Sequence, residues 1–190
     1  MNQFNTFIEK FGQGSKIREV DTSKIEKLQP NALPEIITLL KEDGVSSYMN
    51  GFFWTLDPNE YLEFINEWLQ ADDICIPFAR TALADLFFVH RGEIMILHSN
   101  KGFLDYTSPY VEWFFNRFLT DEPYLIEHFS YNLYQKLPNK ESLSHDECFG
   151  FTPLLSLGGS ENVENLSKVK MREYLDIVAK AADELTFYPY

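Results

Sequence analysis

The sequence predicts an α+β fold, an antiparallel sheet with helices packed on it. Three observations point there. Between residues 74 and 107 four apolar runs follow one another across links too short for the crossovers that parallel strands need. On both sides lie stretches with apolar residues three and four apart, the mark of helices with one buried face. A hydrophobic content of 45%, with 17 Phe, 10 Tyr and 3 Trp in 190 residues, supplies the apolar surface that a substantial core requires and excludes a disordered chain.

Taken in order, Phe4, Phe7, Ile8 and Phe11 recur at helical spacing and Gly12 supplies a stop. Residues 12–32 are polar, with a short helix near Ser23–Leu28. Leu33, Ile36, Ile37 and Leu40 stripe a helix from 33 to 43 that ends at Gly44. Asn50-Gly51 is a turn pair leading into the aromatic strand Phe52-Phe53-Trp54. The helix after it has a clear start: Asp57 caps, Pro58 takes the first helical position, and Glu60 stands three residues after the cap. Tyr61, Leu62, Ile65, Trp68 and Leu69 are its buried stripe.

The strand runs are 74–79, 83–90, 93–99 and 103–107, joined by turns at Arg91-Gly92 and at 100–102. Ser108-Pro109 opens a helix carrying Tyr110, Val111, Phe114, Phe115 and Phe118, and a second helix is expected over 122–137. Residues 136–145 read as a polar loop. The stretch Asp146 to Gly159 reads as a buried strand closed by a tight turn, with Phe149, Phe151, Leu154, Leu155 and Leu157 inside. A surface loop over 160–166 precedes a final helix, 171–185, with Met171, Leu175, Val178, Ala182 and Leu185 on one face. A composition shift near residue 72 separates a helix-rich region, 1–72, from a strand-then-helix region, 73–190. No Gly/Ser linker intervenes, so the two are expected to pack closely.

The formal net charge is −13. It argues strongly against direct binding to nucleic acid or an anionic membrane and favours basic partners. Cys75 and Cys148 sit in apolar surroundings and read as small buried hydrophobes, neither a disulfide framework nor a metal cluster. The segment 1–11 has no signal-peptide core and no run approaches a membrane span, so a reduced, cytoplasmic setting is expected.

No catalytic constellation emerges. The histidines, at 90, 98, 128 and 145, show no metal-binding spacing. His90 and His98 would meet across a tight hairpin, but ordinary surface histidines are the plainer reading, so no metal or cofactor is expected. His145, Asp146 and Cys148 are neighbours along a strand, where successive side chains face opposite ways, and they form no nucleophile–base pair. Gly158-Gly159 opens no phosphate loop and reads as a turn. Asp146-Glu147 and Asp72-Asp73 are expected to cap, pair or be solvated. Arg80, within an apolar segment, is expected to pair with Asp85 or Asp146, anion binding being the sharper alternative. Asp72, Asp73, Glu161 and Glu164 flank loops and carry the sign a basic partner needs; they are the candidate partner contacts, solvated charge being their plainer role.

Three segments carry a family resemblance: Asn50-Gly51-Phe52-Phe53-Trp54 with Asp57-Pro58 and Tyr61; Pro77-Phe78-Ala79-Arg80-Thr81-Ala82 with Asp85-Leu86-Phe87; and 146–151 through Leu157-Gly158-Gly159, with Leu166, Lys168-Val169 and Tyr174-Leu175. Over nearly its whole length the chain resembles bacterial proteins with a GAD-like N-terminal region and a further C-terminal domain, among them immunity proteins against DNases of type VI secretion. The resemblance implies a non-enzymatic, cytoplasmic protein that binds and silences a toxin. A basic toxin is the partner that fits the charge, and the resemblance makes a DNase the first candidate. The alternative is a sensory module holding a small ligand or anion at Arg80.

Overall fold

The structure, a computed structural model, describes residues 4–28, 32–138, 140–182 and 185–187. Its centre is a sheet of seven strands in which each is antiparallel to the next: β1 (Ser15–Arg18), β2 (Val45–Tyr48), β3 (Phe53–Thr55), β4 (Cys75–Thr81), β5 (Leu86–His90), β6 (Glu93–His98) and β7 (Phe103–Ser108). A two-residue strand near the C-terminus, Thr186–Phe187, adds itself parallel to β7. The sheet runs through residue 72, because β3 on one side pairs with β4 on the other, with Trp54 opposite Arg80.

Both faces of this sheet are covered. Helices α1 (Asn5–Phe11), α3 (Pro34–Asp43), α5 (Val111–Asn116), α6 (Glu122–Phe129) and α7 (Tyr131–Lys136) supply Phe7, Leu40, Phe114, Phe115, Phe129 and Tyr134 to one core, with Phe53, Phe87 and Ile96 of the sheet. The short α2 (Ser23–Glu26) adds Ile25. Helices α4 (Pro58–Leu69) and α8 (Met171–Ala181) supply Tyr61, Phe64, Ile65, Met171 and Leu175 to a second core, with Leu86, Phe88 and Leu97. This double cover explains why β4 is buried at every position and reads as an unbroken run without alternation. The α4 start is as predicted: the Asp57 side chain accepts from the Asn59 amide at 3.0 Å. Asp57 and Glu60 also hold Arg18, pinning the edge strand β1 to that helix.

The α+β prediction holds, while several boundaries move for identifiable reasons. The second strand of the meander begins at Leu86, not Leu83, because Thr81 to Asp85 forms a turn with Ala84 at φ 70°. The helix expected over 122–137 breaks at Ser130 (φ 53°) into α6 and α7. The expected strand at 146–159 is only β8 (Glu147–Phe151); the chain then bends at 152–153 and closes in a short 3-10 turn at 155–157. Phe149 and Phe151 are buried, but Leu157 is 68% exposed, because the strand has ended before it. The loop expected over 160–166 runs through residue 165, and Leu166 already begins β9 (Leu166–Lys170), antiparallel to β8. The last helix stops at Ala181; residues 183–184 of its expected end lie outside the described residues.

The β8–β9 hairpin is fastened to the rest by backbone and tyrosine contacts. The Phe149 amide donates to the Ala82 carbonyl at 2.8 Å, and the Met171 amide to the Asp146 carbonyl at 2.9 Å. Tyr174 of α8 lies flat against Gly150, its hydroxyl accepting from the Phe151 amide at 2.9 Å and meeting the Asn100 side chain. A Cβ at residue 150 would stand 2.4 Å from the Tyr174 ring. Gly150→Ala is therefore expected to cost about 1–3 kcal/mol by overpacking, read from the urea midpoint. The cost should shrink when Tyr174 is shortened to Leu; an equal cost in both backgrounds would show that the ring contact is not its source.

Candidate interaction surface

Arg80 projects from β4 into a closed site and is 1% exposed. Its guanidinium lies over the Trp54 ring, 4.7 Å from the centroid, and donates to the carbonyls of Thr81 (3.2 Å), Ser144 (3.4 Å) and His145 (3.1 Å). The carboxylate partner expected at Asp85 or Asp146 is absent: Asp85 accepts from the Thr81 hydroxyl at 2.7 Å, and Asp146 pairs with Lys170 at 2.6 Å. Burial draws the Arg80 pKa down, opposed by Tyr61, Cys148 and Asp146. The fork of donors suits backbone oxygens here because it ties the 144–145 loop to the sheet at several points.

The four candidate contact acids fall at two separate places. Asp72 and Asp73 sit before β4, beside the β5–β6 turn, where Arg91 approaches them at 2.6 and 3.9 Å. Glu161 lies beyond the other end of β6, taking a hydrogen bond from the Ser130 hydroxyl and facing Lys101 at 3.5 Å. Glu164 is exposed on the same connection between β8 and β9. The six residues of β6 separate the two groups by roughly 20 Å at about 3.3 Å per residue.

Neither thiol has the surroundings of a nucleophile. Cys148 is buried in the second core, and burial pushes its pKa up to about 12. Cys75 stands opposite His90 across β4 and β5, its Sγ 3.5 Å from Nδ1, and His90 Nε2 is 3.8 Å from Asp72. This Cys–His–Asp line is visible only once the strands pair. Burial together with Asp73 and Asp72 raises the Cys75 thiol to about 12 as well, which leaves almost no thiolate at neutral pH. His90 and His98 do not meet: they occupy opposite ends of the hairpin, since His90 pairs with Glu93 while Leu86 pairs with Leu97.

The feature that sequence reasoning missed is apolar. A groove of about 390 Å³ opens between the segment after β8 and the outer face of α8, lined by Pro153, Leu154, Leu157, Val169, Tyr174 and Ile177, with Lys170 and Glu173 at its edge. Leu157 and Ile177, 68% and 56% exposed, stand in it as large uncovered hydrophobics. Leu157 was expected inside, so the exposed end of that apolar run was the one signal available. Glu161 and Glu164 follow Leu157 on the same connection.

A helical and strand layout of this kind, with a continuous antiparallel sheet and an appended hairpin, is shared by known proteins. Residues 2–101 match the GAD-like domain, and the chain belongs to that family. Residues 110–180 match the C-terminal domain of the T6SS immunity protein Tdi1, which supports an immunity-type protein of type VI secretion. The fold is also that of Atu4351 from Agrobacterium tumefaciens, with a TM-score of 0.78 at 13% identity over 98% of this chain and 93% of that one. No curated protein matches the chain. The match to an immunity-protein domain suggests a non-enzymatic role, and among the described residues no helix is long and apolar enough to cross a membrane.

Because both thiols have folded-state pKa values of about 12, above the roughly 8.5 of an unfolded cysteine, their contribution to stability is whole below about pH 8.5 and falls as pH rises toward 12. Iodoacetamide at pH 8 is expected to leave both unmodified in the native protein and to alkylate both once the chain is denatured. Mass spectrometry reads the outcome, and native alkylation of either at the rate of a free thiol would show that its burial is wrong.

Proposed function

We propose that the protein binds a cognate bacterial toxin inside the cell and neutralises it by occlusion, the toxin being a basic protein and, by the resemblance, a nuclease. The observation that carries this reading is the match of residues 110–180 to an immunity-protein domain, joined to a net charge of −13. A nuclease presents a cationic groove to phosphate, and an acidic protein is steered to such a groove and competes for it.

The apolar groove supplies what charge alone cannot. Electrostatics sets orientation and association rate, whereas a few desolvated apolar anchors hold a complex together. Leu157 and Ile177 are the anchors in this reading, and Glu161, Glu164 and Glu173 are acids on the same segments, suited to the rim. Asp72 and Asp73, already facing Arg91 at the far end of β6, contribute long-range field more than contact. The role is stoichiometric and uses no chemistry of its own.

Co-expression with a toxin encoded beside it should restore growth, and the two proteins should co-purify. Leu157→Asp combined with Ile177→Asp is expected to weaken binding at least about tenfold, as loss of two interface anchors does, without lowering stability, because both side chains are exposed. The association rate should fall as salt is raised. Unaltered toxicity on co-expression, or a complex indifferent to both the double substitution and salt, would overturn the reading.

A further inference from the structure

Among the described residues one set of side chains has the make-up of a metal site: His98 at the end of β6, Asp105 on β7 and His128 on α6, whose potential ligand atoms all lie within 4.8 Å of one another. Strand pairing creates half of it. Asp85 stands beside His98, since Leu86 pairs with Leu97, and Asp105 pairs with Ile96, so all three polar side chains project from the same face of the sheet. Helix α6 covers that face and brings His128 Nδ1 to 3.8 Å from Asp105 Oδ2.

His98 is the decisive residue. It is 0% exposed, and neither ring nitrogen makes a hydrogen bond. Leaving a buried imidazole so is costly, and such groups in native proteins call for an explanation. Its ring is held between Phe103 (centroids 4.4 Å) and Phe129 (5.2 Å), so it cannot turn away to find water. Nδ1 faces Asp85 Oδ1 at 3.4 Å, and Asp85 is itself fixed by the Thr81 hydroxyl. Short of a hydrogen bond as it stands, that contact would close, once Nε2 takes an ion, into the outer-shell arrangement in which a carboxylate orients a ligating histidine. Asp105 is oriented in a similar way, its Oδ1 accepting from the Tyr106 amide at 2.7 Å while Oδ2 faces His128. The His128 ring stacks on Tyr124, with centroids 4.1 Å apart, which fixes its plane.

We propose that His98, Asp105 and His128 bind a divalent transition-metal ion of the zinc type, with Asp85 orienting His98. Two imidazoles and a carboxylate select such an ion over calcium or magnesium. Ligand bonds of about 2.0–2.2 Å in tetrahedral geometry place donors roughly 3.4 Å apart, so binding draws the three groups together by about 1 Å. The ion would clamp α6 to β6 and β7, independently of any toxin.

The purified full chain, stripped with 1,10-phenanthroline and EDTA and then dialysed against Zn²⁺ or Co²⁺, tests this. Plasma mass spectrometry should find about one ion per chain, and Co²⁺ should give visible d–d bands of tetrahedral intensity. Zn²⁺ should raise the melting temperature by roughly 5 °C at saturating concentration. Asp105→Asn with His128→Gln should abolish the bands, and Asp85→Asn should weaken affinity about 10–100-fold, circular dichroism confirming that each variant is folded. A wild-type chain that retains no ion and gives no Co²⁺ bands overturns the proposal whatever the variants do. Equal uptake by wild type and the folded double variant overturns it as well.

Discussion

The turn from Thr81 to Asp85 is the point on which the rest of the structure depends. The chain must reverse between two fully covered strands, where water cannot satisfy the backbone, so every polar group there needs an internal partner. The Thr81 hydroxyl donates to the Asp85 carboxylate and accepts from the amides of Leu83 and Asp85. The carbonyls that remain are taken by other segments. Leu83 accepts from the Asn100 side chain, Ala84 from the Ser99 hydroxyl, and Ala82 from the Phe149 amide. One small turn thereby fixes the β6–β7 connection and the β8–β9 hairpin together.

Arg80, one residue before the turn, extends the same logic. A buried guanidinium without a carboxylate is tolerable when its donors meet carbonyls and its plane meets an aromatic face. Here those carbonyls belong to Thr81, Ser144 and His145, and the face to Trp54. Residues from three distant stretches of sequence converge on this point, two of them within motifs that carry the family resemblance and the third, Ser144-His145, immediately before another. Their signature is one of fold, which is why it offered no chemistry. In the function proposed above, recognition falls elsewhere, on the groove beside α8 and on the acidic exterior.

Much of the architecture was legible in the sequence where a local pattern has a local cause. Asp57-Pro58 begins a helix through its own capping geometry, and the short links between apolar runs force antiparallel strands. Legibility failed where a segment takes its conformation from a neighbour. Ser15–Arg18 and Val45–Tyr48 lack strand alternation and are strands through pairing. Ser130 carries no helix-breaking signature, yet it sits at φ 53°, with its hydroxyl held by Glu161. Leu157 belongs to an apolar run, but the bend after β8 places it outside the core.

By itself the sequence determined the fold class, the burial of both cysteines and the acidic exterior, because composition and short-range periodicity are properties of the chain alone. Tertiary structure decided which side chains meet. It sent Arg80 to carbonyls rather than to an acid, gave Cys75 to His90, separated His90 from His98, and brought His98 to Asp105 and His128. Strand register and helix placement set those encounters, and both are fixed by contacts between residues far apart in sequence, which no local pattern records.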